Sequence, residues 1–142
     1  MNKIVKFALI LLSTLGLILG TTTTSYSKVE GDTIILGAAV SLTGKYSTNG
    51  KHTQNGYNLA VKRINEKGGV KVGGKKYKFD IIYYDDESNS GRAAQLAERL
   101  IKQDGVKYML GPYSSGLTKA IAPVTEENKI PMVEANGASR SL

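Results

Sequence analysis

The chain has 142 residues, 41% of them apolar and 22% charged, an ordinary globular composition that excludes general disorder and collagen-like repeats. It contains no cysteine, which excludes disulfide scaffolds, thiolate metal sites, thiol nucleophiles and lipidation at a lipobox. His52 is the only histidine, so a multi-imidazole zinc site and a Ser-His-Asp triad are poorly supported, and the formal net charge is +7.

Residues 1–27 stand apart in composition. Lys3 and Lys6 precede the uncharged, Leu- and Ile-rich run Phe7 to Leu19, and Ser25 and Ser27 place small residues before a cut at Lys28. This is the pattern of a cleavable signal peptide. The competing reading, an uncleaved membrane anchor, meets a run of thirteen residues where a bilayer span needs about 20. Loss of the two lysines lowers the charge from +7 to +5.

The remainder alternates strand and helix. Thr33 to Val40 is a near-continuous apolar run, as in a parallel strand buried on both faces. A polar loop is expected over Ser41–Lys51, and Tyr57, Ala60, Val61 and Ile64 then carry one helix face, closed by Gly68-Gly69. Val70–Val72, Gly73-Gly74 and Lys75–Phe79 predict a small hairpin that runs on through Ile81 to Tyr84. After the loop Asp85–Asn89, Ala93, Leu96, Ala97, Leu100 and Ile101 predict a second helix, Val106–Leu110 a strand, and Leu117, Ala120, Ile121 and Val124 a third helix. Pro123 lies inside that stripe and predicts a kink or a lost first-turn bond. Ile130–Val133 is the last predicted strand.

The order predicts an α/β fold: a doubly wound, mostly parallel sheet with helices on both faces and the hairpin near 70–79. The chain stops at Leu142 without the helix that would cover its last strand, and so reads as part of something longer.

In such sheets ligands bind outside the carboxyl ends of the strands, here the loops 41–51, 85–90, 111–115 and 135–139. The third loop opens into a helix N-terminus, which carries unpaired N–H donors and suits a carboxylate or phosphate, with Ser114, Ser115 and Thr118 adding hydroxyls. A simple Ser cap on that helix is the alternative. Nucleotide motifs fail, since Ala39 and Tyr46 stand where a P-loop needs Gly and Ser or Thr, and no G-x-G-x-x-G follows the first strand.

Asp85-Asp86-Glu87 could hold magnesium, but a solvated loop whose Ser88 or Asn89 caps the next helix is favoured, and no metal is assigned. His52 has no carboxylate or nucleophile in its motif and reads as a surface residue rather than a catalytic one. Lys67, Lys71, Lys75, Lys76 and Lys78 form a basic patch beside Tyr77, read as solvated surface and not as a nucleic-acid footprint.

Leu42-Thr43-Gly44, Gly50 with Gly56, Ile64 to Gly69, Tyr84-Asp85-Asp86, Gly111 to Gly116 and Ile130-Pro131-Met132 occur in one order over about Thr33 to Leu142. In these residues the chain resembles the periplasmic solute-binding proteins of the leucine/isoleucine/valine-binding type. The resemblance implies a two-lobed, non-enzymatic receptor without cofactor, located in the periplasm. It would close on an amino acid or amide-like solute and deliver it to an inner-membrane ABC transporter permease. Residues 28–142 would be the first lobe.

By position, Ser115 resembles the carboxylate-binding serine, and Asn136, Ala138 and Ser139 the main-chain and hydroxyl contacts after the fourth strand. Asn49 stands where the family offers an aromatic, with Tyr46 three residues earlier. The resemblance also implies that one lobe alone binds weakly or not at all. The alternatives are a sensor domain of a receptor or amide-responsive regulator, and a doubly wound hydrolase or phosphoryl-transfer enzyme. The enzyme would need Asp85, Asp86 or His52 acting together, and it lacks a G-x-S-x-G elbow.

Overall fold

The computed structural model describes residues 29–134 and 136–140; the expected signal segment 1–27 lies outside them. Nine elements follow in chain order: β1 (Val29–Glu30), β2 (Thr33–Val40), α1 (Ser47–Glu66), β3 (Val70–Val72), β4 (Lys75–Asp85), α2 (Ser90–Lys102), β5 (Met109–Leu110), α3 (Ser115–Glu127) and β6 (Met132–Val133). Among the described residues no helix is long and apolar enough to cross a membrane.

The sheet runs β3-β4-β2-β5-β6, with β1 antiparallel to β2. β2, β4, β5 and β6 are parallel, and the predicted hairpin pairs Val70 with Tyr77 and Val72 with Lys75. From β2 the chain moves outward to β4, then crosses back to β5 on the other side of β2. Because crossovers are right-handed, this reversal sends α1 to one face and α2 and α3 to the other.

Alternation along β2 separates the two layers. Ile35 and Ala39 face α2 and α3 and form the core with Ala93, Ala97, Leu100, Val106, Leu117 and Ile121. Gly37 belongs to this face, where a Cβ would press on Met109 Sδ and Val106 and hold β2 away from its cover. The stripes read for α2 and α3 are therefore the buried ones.

The α1 layer departs from expectation. The helix begins at Ser47, inside the segment read as a loop, and its buried residues are Gly50 and Thr53. Ala60 of the predicted stripe is exposed, and Tyr57, Val61 and Ile64 are only partly covered. On the same sheet face an apolar cleft of about 340 Å³ opens between Ile34, Leu36, Phe79, Leu110 and Val133, with no α1 residue in its lining. β5 and β6 are shorter than their apolar runs, since Val106 and Ile130 enter the core from the preceding turns. Pro123 is the ninth residue of a thirteen-residue helix, so the hydrogen bond it forgoes is an interior one, not one of the first turn.

Candidate ligand-binding site

The strand order reverses about β2, so the loops leaving β2 and β5 diverge and open a crevice at their carboxyl ends. Tyr46, from the first loop, meets Tyr113, from the second, edge to face with ring centroids 5.7 Å apart. Beside them is a cavity of about 430 Å³ lined by Asn49, His52, Thr53, Gly56, Tyr57, Tyr113 and Asn136. Five of these lie on α1 at positions 49, 52, 53, 56 and 57, a helical spacing that puts them on one side.

Tyr57 bridges the elements. Its hydroxyl donates to the Gly111 carbonyl at 2.8 Å, joining α1 to the exit of β5. Burial pushes this phenol up to about 12, the Glu134 carboxylate adds to the rise, and a hydrogen bond from the Asn136 side chain opposes it.

The two serines before α3 divide the work that their sequence left open. Ser114 is the N-cap and accepts from the Leu117 N–H at 3.4 Å, although its φ of 86° lies where a non-glycine backbone is strained. Ser115 is thereby spared as a cap, and its hydroxyl oxygen accepts from the Ser139 N–H at 3.0 Å. That oxygen keeps its own proton to donate.

Thr118 lies deeper. It is buried, and its hydroxyl is 2.7 Å from Glu134 Oε2 and 3.0 Å from the Ser114 carbonyl. Glu134 Oε1 in turn accepts from the N–H groups of Asn136 and Gly137, the latter at 2.7 Å. Gly111 makes room for this carboxylate, since a Cβ there would overlap Glu134. One acidic side chain thus shapes the loop that presents Ala138 and Ser139, both exposed at its rim.

The acidic loop after β4 is committed to structure. Asp85 accepts from the N–H groups of Leu42, Thr43 and Glu87 and from the Thr43 hydroxyl at 2.7 Å, which shapes the loop after β2. Burial alone would raise its pKa, and these hydrogen bonds outweigh it and hold the carboxyl below the usual range. Asp86 is fully buried, accepts from the Ser41 hydroxyl at 2.6 Å and the Ser88 N–H at 2.7 Å, and has its pKa raised chiefly by burial. Asn89 is the helix cap, accepting from the Arg92 N–H at 2.9 Å. Among the described residues no group of three or more acidic or imidazole side chains could hold a metal ion. In the basic patch, Lys75 is paired with Asp32 at 2.6 Å and lies 5.2 Å over the Tyr77 ring.

Residues 33–141 match the periplasmic binding protein family, more than half of the chain. The chain belongs to that family. Its relatives include the Leu/Ile/Val-binding protein BraC3 of Rhizobium johnstonii, 29% identical over 77% of this chain and 28% of the relative. Among solved structures it is similar to the branched-chain amino acid transporter substrate-binding protein LivJ of Streptococcus pneumoniae in complex with isoleucine, with 28% identity and a TM-score of 0.69. That match covers 76% of this chain and 30% of LivJ. A solute-binding protein of an ABC transporter from R. palustris, solved with 4-hydroxybenzoate, is 32% identical with a TM-score of 0.62, covering 78% of this chain and 28% of that one. The chain therefore spans under a third of the length of these family members.

Within this periplasmic binding protein chain, Asn49 and Asn136 line the cavity, Tyr46 buttresses it through Tyr113, and Ser115 and Ser139 bond to each other but are not among its lining residues. Ser114 and Thr118 serve the local architecture. Sequence reasoning passed over Tyr57, Tyr113, Thr53 and Glu134. Tyr57 was read as one more apolar stripe position, and Glu134 belongs to no motif; only the three-dimensional meeting of α1, β5 and β6 gives them roles.

Proposed function

We propose that the chain supplies the first lobe of an extracytoplasmic solute receptor, which binds an amino acid or amide-like small solute and passes it to an ABC importer in the inner membrane. In this reading residues 1–27 are the export signal, residues 28–142 are the lobe, and the protein works in the periplasm without enzymatic activity. The observation that carries it is the cavity between α1, Tyr113 of the loop after β5 and Asn136 of the loop after β6, the loop that the Ser115–Ser139 hydrogen bond ties to the start of α3.

A carboxylate placed there meets the first turn of α3, whose positive dipole end and free N–H groups favour an anion. The Ser115 hydroxyl donates to it while accepting from Ser139, and the Ala138 backbone lies alongside. Asn49, with Tyr46 behind it, faces the rest of the solute. A second lobe would close over the open side; with one lobe only, affinity is expected near a Kd of about 1 mM or weaker.

The test is a ¹H–¹⁵N spectrum of the labelled chain titrated with a panel of amino acids and aromatic acids to about ten times that limit. Shifts confined to Ser115, Ala138, Ser139 and the α1 wall are expected for at least one solute. Absence of such shifts for the whole panel overturns the reading.

A further inference from the structure

The cavity wall carries polar side chains on α1 where a receptor for branched aliphatic side chains needs apolar ones. Asn49 and His52 stand one turn apart on α1 and both face the cavity. Neither side chain makes a hydrogen bond among the described residues, whereas the Thr53 and Tyr57 hydroxyls of the same helix are engaged. The Thr53 hydroxyl donates to the Asn49 carbonyl at 3.0 Å and the Tyr57 hydroxyl to the Gly111 carbonyl at 2.8 Å. Gly56 follows on the same side with no atom within 4 Å of where a Cβ would stand, which leaves bare helix backbone and room beside the two free groups.

We infer that the solute carries, at the end remote from its carboxylate, a hydrogen-bonding group, an amide or a hydroxyl, that is read by Asn49 and His52. This rests on the receptor reading above. An aliphatic end seated here would strip water from an amide and an imidazole and give neither a partner, a penalty that polar-ended solutes escape. An imidazole and a carboxamide both donate and accept, so the pair suits a group that does the same.

Matched probes isolate the far end, because every one of them carries the same carboxylate. Asparagine is compared with leucine, which has nearly its shape, and 4-hydroxybenzoate with benzoate, each titrated into the full ¹⁵N-labelled chain. The expected result is about tenfold tighter binding of at least one polar member than of its apolar counterpart. It should come with shifts at Asn49 and His52, and with loss of that preference in His52→Ala and Asn49→Leu. Preference for asparagine assigns an amide, and preference for 4-hydroxybenzoate a hydroxyl.

Leucine and benzoate both binding as tightly as their partners, or a polar preference untouched by both substitutions, overturns the inference while the receptor reading stands. No shift at Ser115 and Ser139 with any probe overturns both. Asn49 is half-buried and His52 exposed, so unchanged melting temperatures are the check that the variants fold.

Discussion

Gly50 packs its bare Cα against the carbonyl of Ser41, so close that a methyl there would overlap the oxygen. This contact docks the first turn of α1 on the end of β2 and sets the angle at which Asn49 and His52 reach the cavity. Gly56, six residues on, has open space at the same point. Gly50→Ala is therefore expected to cost about 2–3 kcal/mol, since the obstructing atom is backbone and cannot rotate away. Gly56→Ala should gain about 0.5–1 kcal/mol from helix propensity. Chemical denaturation of both variants checks the opposite signs; equal effects would show that α1 does not dock through Gly50.

The adjacent carboxylates Asp85 and Asp86 should give stability contributions of opposite pH dependence. Asp85 has its folded pKa lowered, so its contribution is present above the unfolded value near 3.9 and is lost as pH falls through the folded value. Asp85→Asn should cost about 1–3 kcal/mol at neutral pH through weakened hydrogen bonds, and the deficit should shrink in acid.

Asp86 has its folded pKa raised, and its buried Oδ2 has no hydrogen-bond partner among the described residues. Its contribution is present below the unfolded value and is lost as pH rises through the folded one. The stability of Asp86→Asn relative to the parent should accordingly improve as pH rises from about 4. Melting curves from acid to neutral pH decide, and parallel curves for parent and variant would refute it.

Tyr57 and Tyr83 should ionise well above the ordinary phenol value near 10. Both phenols are pushed up to about 12, Tyr57 by burial and Glu134, Tyr83 by burial, Tyr57 and Asp80. Phenolate absorbance should show a late phase that Tyr57→Phe halves. The sign follows from the raised values: stability is intact below about 10 and is lost as pH rises through the folded values.

Glu134 holds the loop after β6 through the Asn136 and Gly137 N–H groups. Glu134→Ala should free the Asn136 and Gly137 N–H groups, and their hydrogen exchange should quicken at least tenfold, with Ser139 following as its bond to Ser115 loosens. Protection left unchanged at all three positions would show that the carboxylate does not organise the loop.

Most of the sheet was legible because buried parallel strands announce themselves. The run Thr33–Val40 and the stripes Ala93 to Ile101 and Leu117 to Val124 are where periodicity places them. The first turn of α1 was illegible for a physical reason. Ser47-Thr48-Asn49-Gly50 offers no apolar position and one poor helix former, and what holds it helical is the tertiary fit of Gly50 on Ser41 together with the Gly50 N–H donating to the Tyr46 carbonyl at 2.8 Å. The site divides in the same way. Ser115 and Asn136 stood in readable loops, whereas Tyr57 and Glu134 act through partners 54 and 16 residues away, at Gly111 and Thr118, which no local pattern reveals.

The apolar cleft on the α1 side of the sheet changes how this chain will behave in a test tube. A native sheet face presenting Ile34, Leu36, Phe79 and Val133 to water is a binding surface for anilinonaphthalene sulfonate. The dye should therefore fluoresce with the fully folded chain, and its signal should fall on unfolding instead of passing through the maximum that marks a loosened intermediate. Dye uptake, commonly taken as a sign of misfolding, would here be a mark of correct assembly.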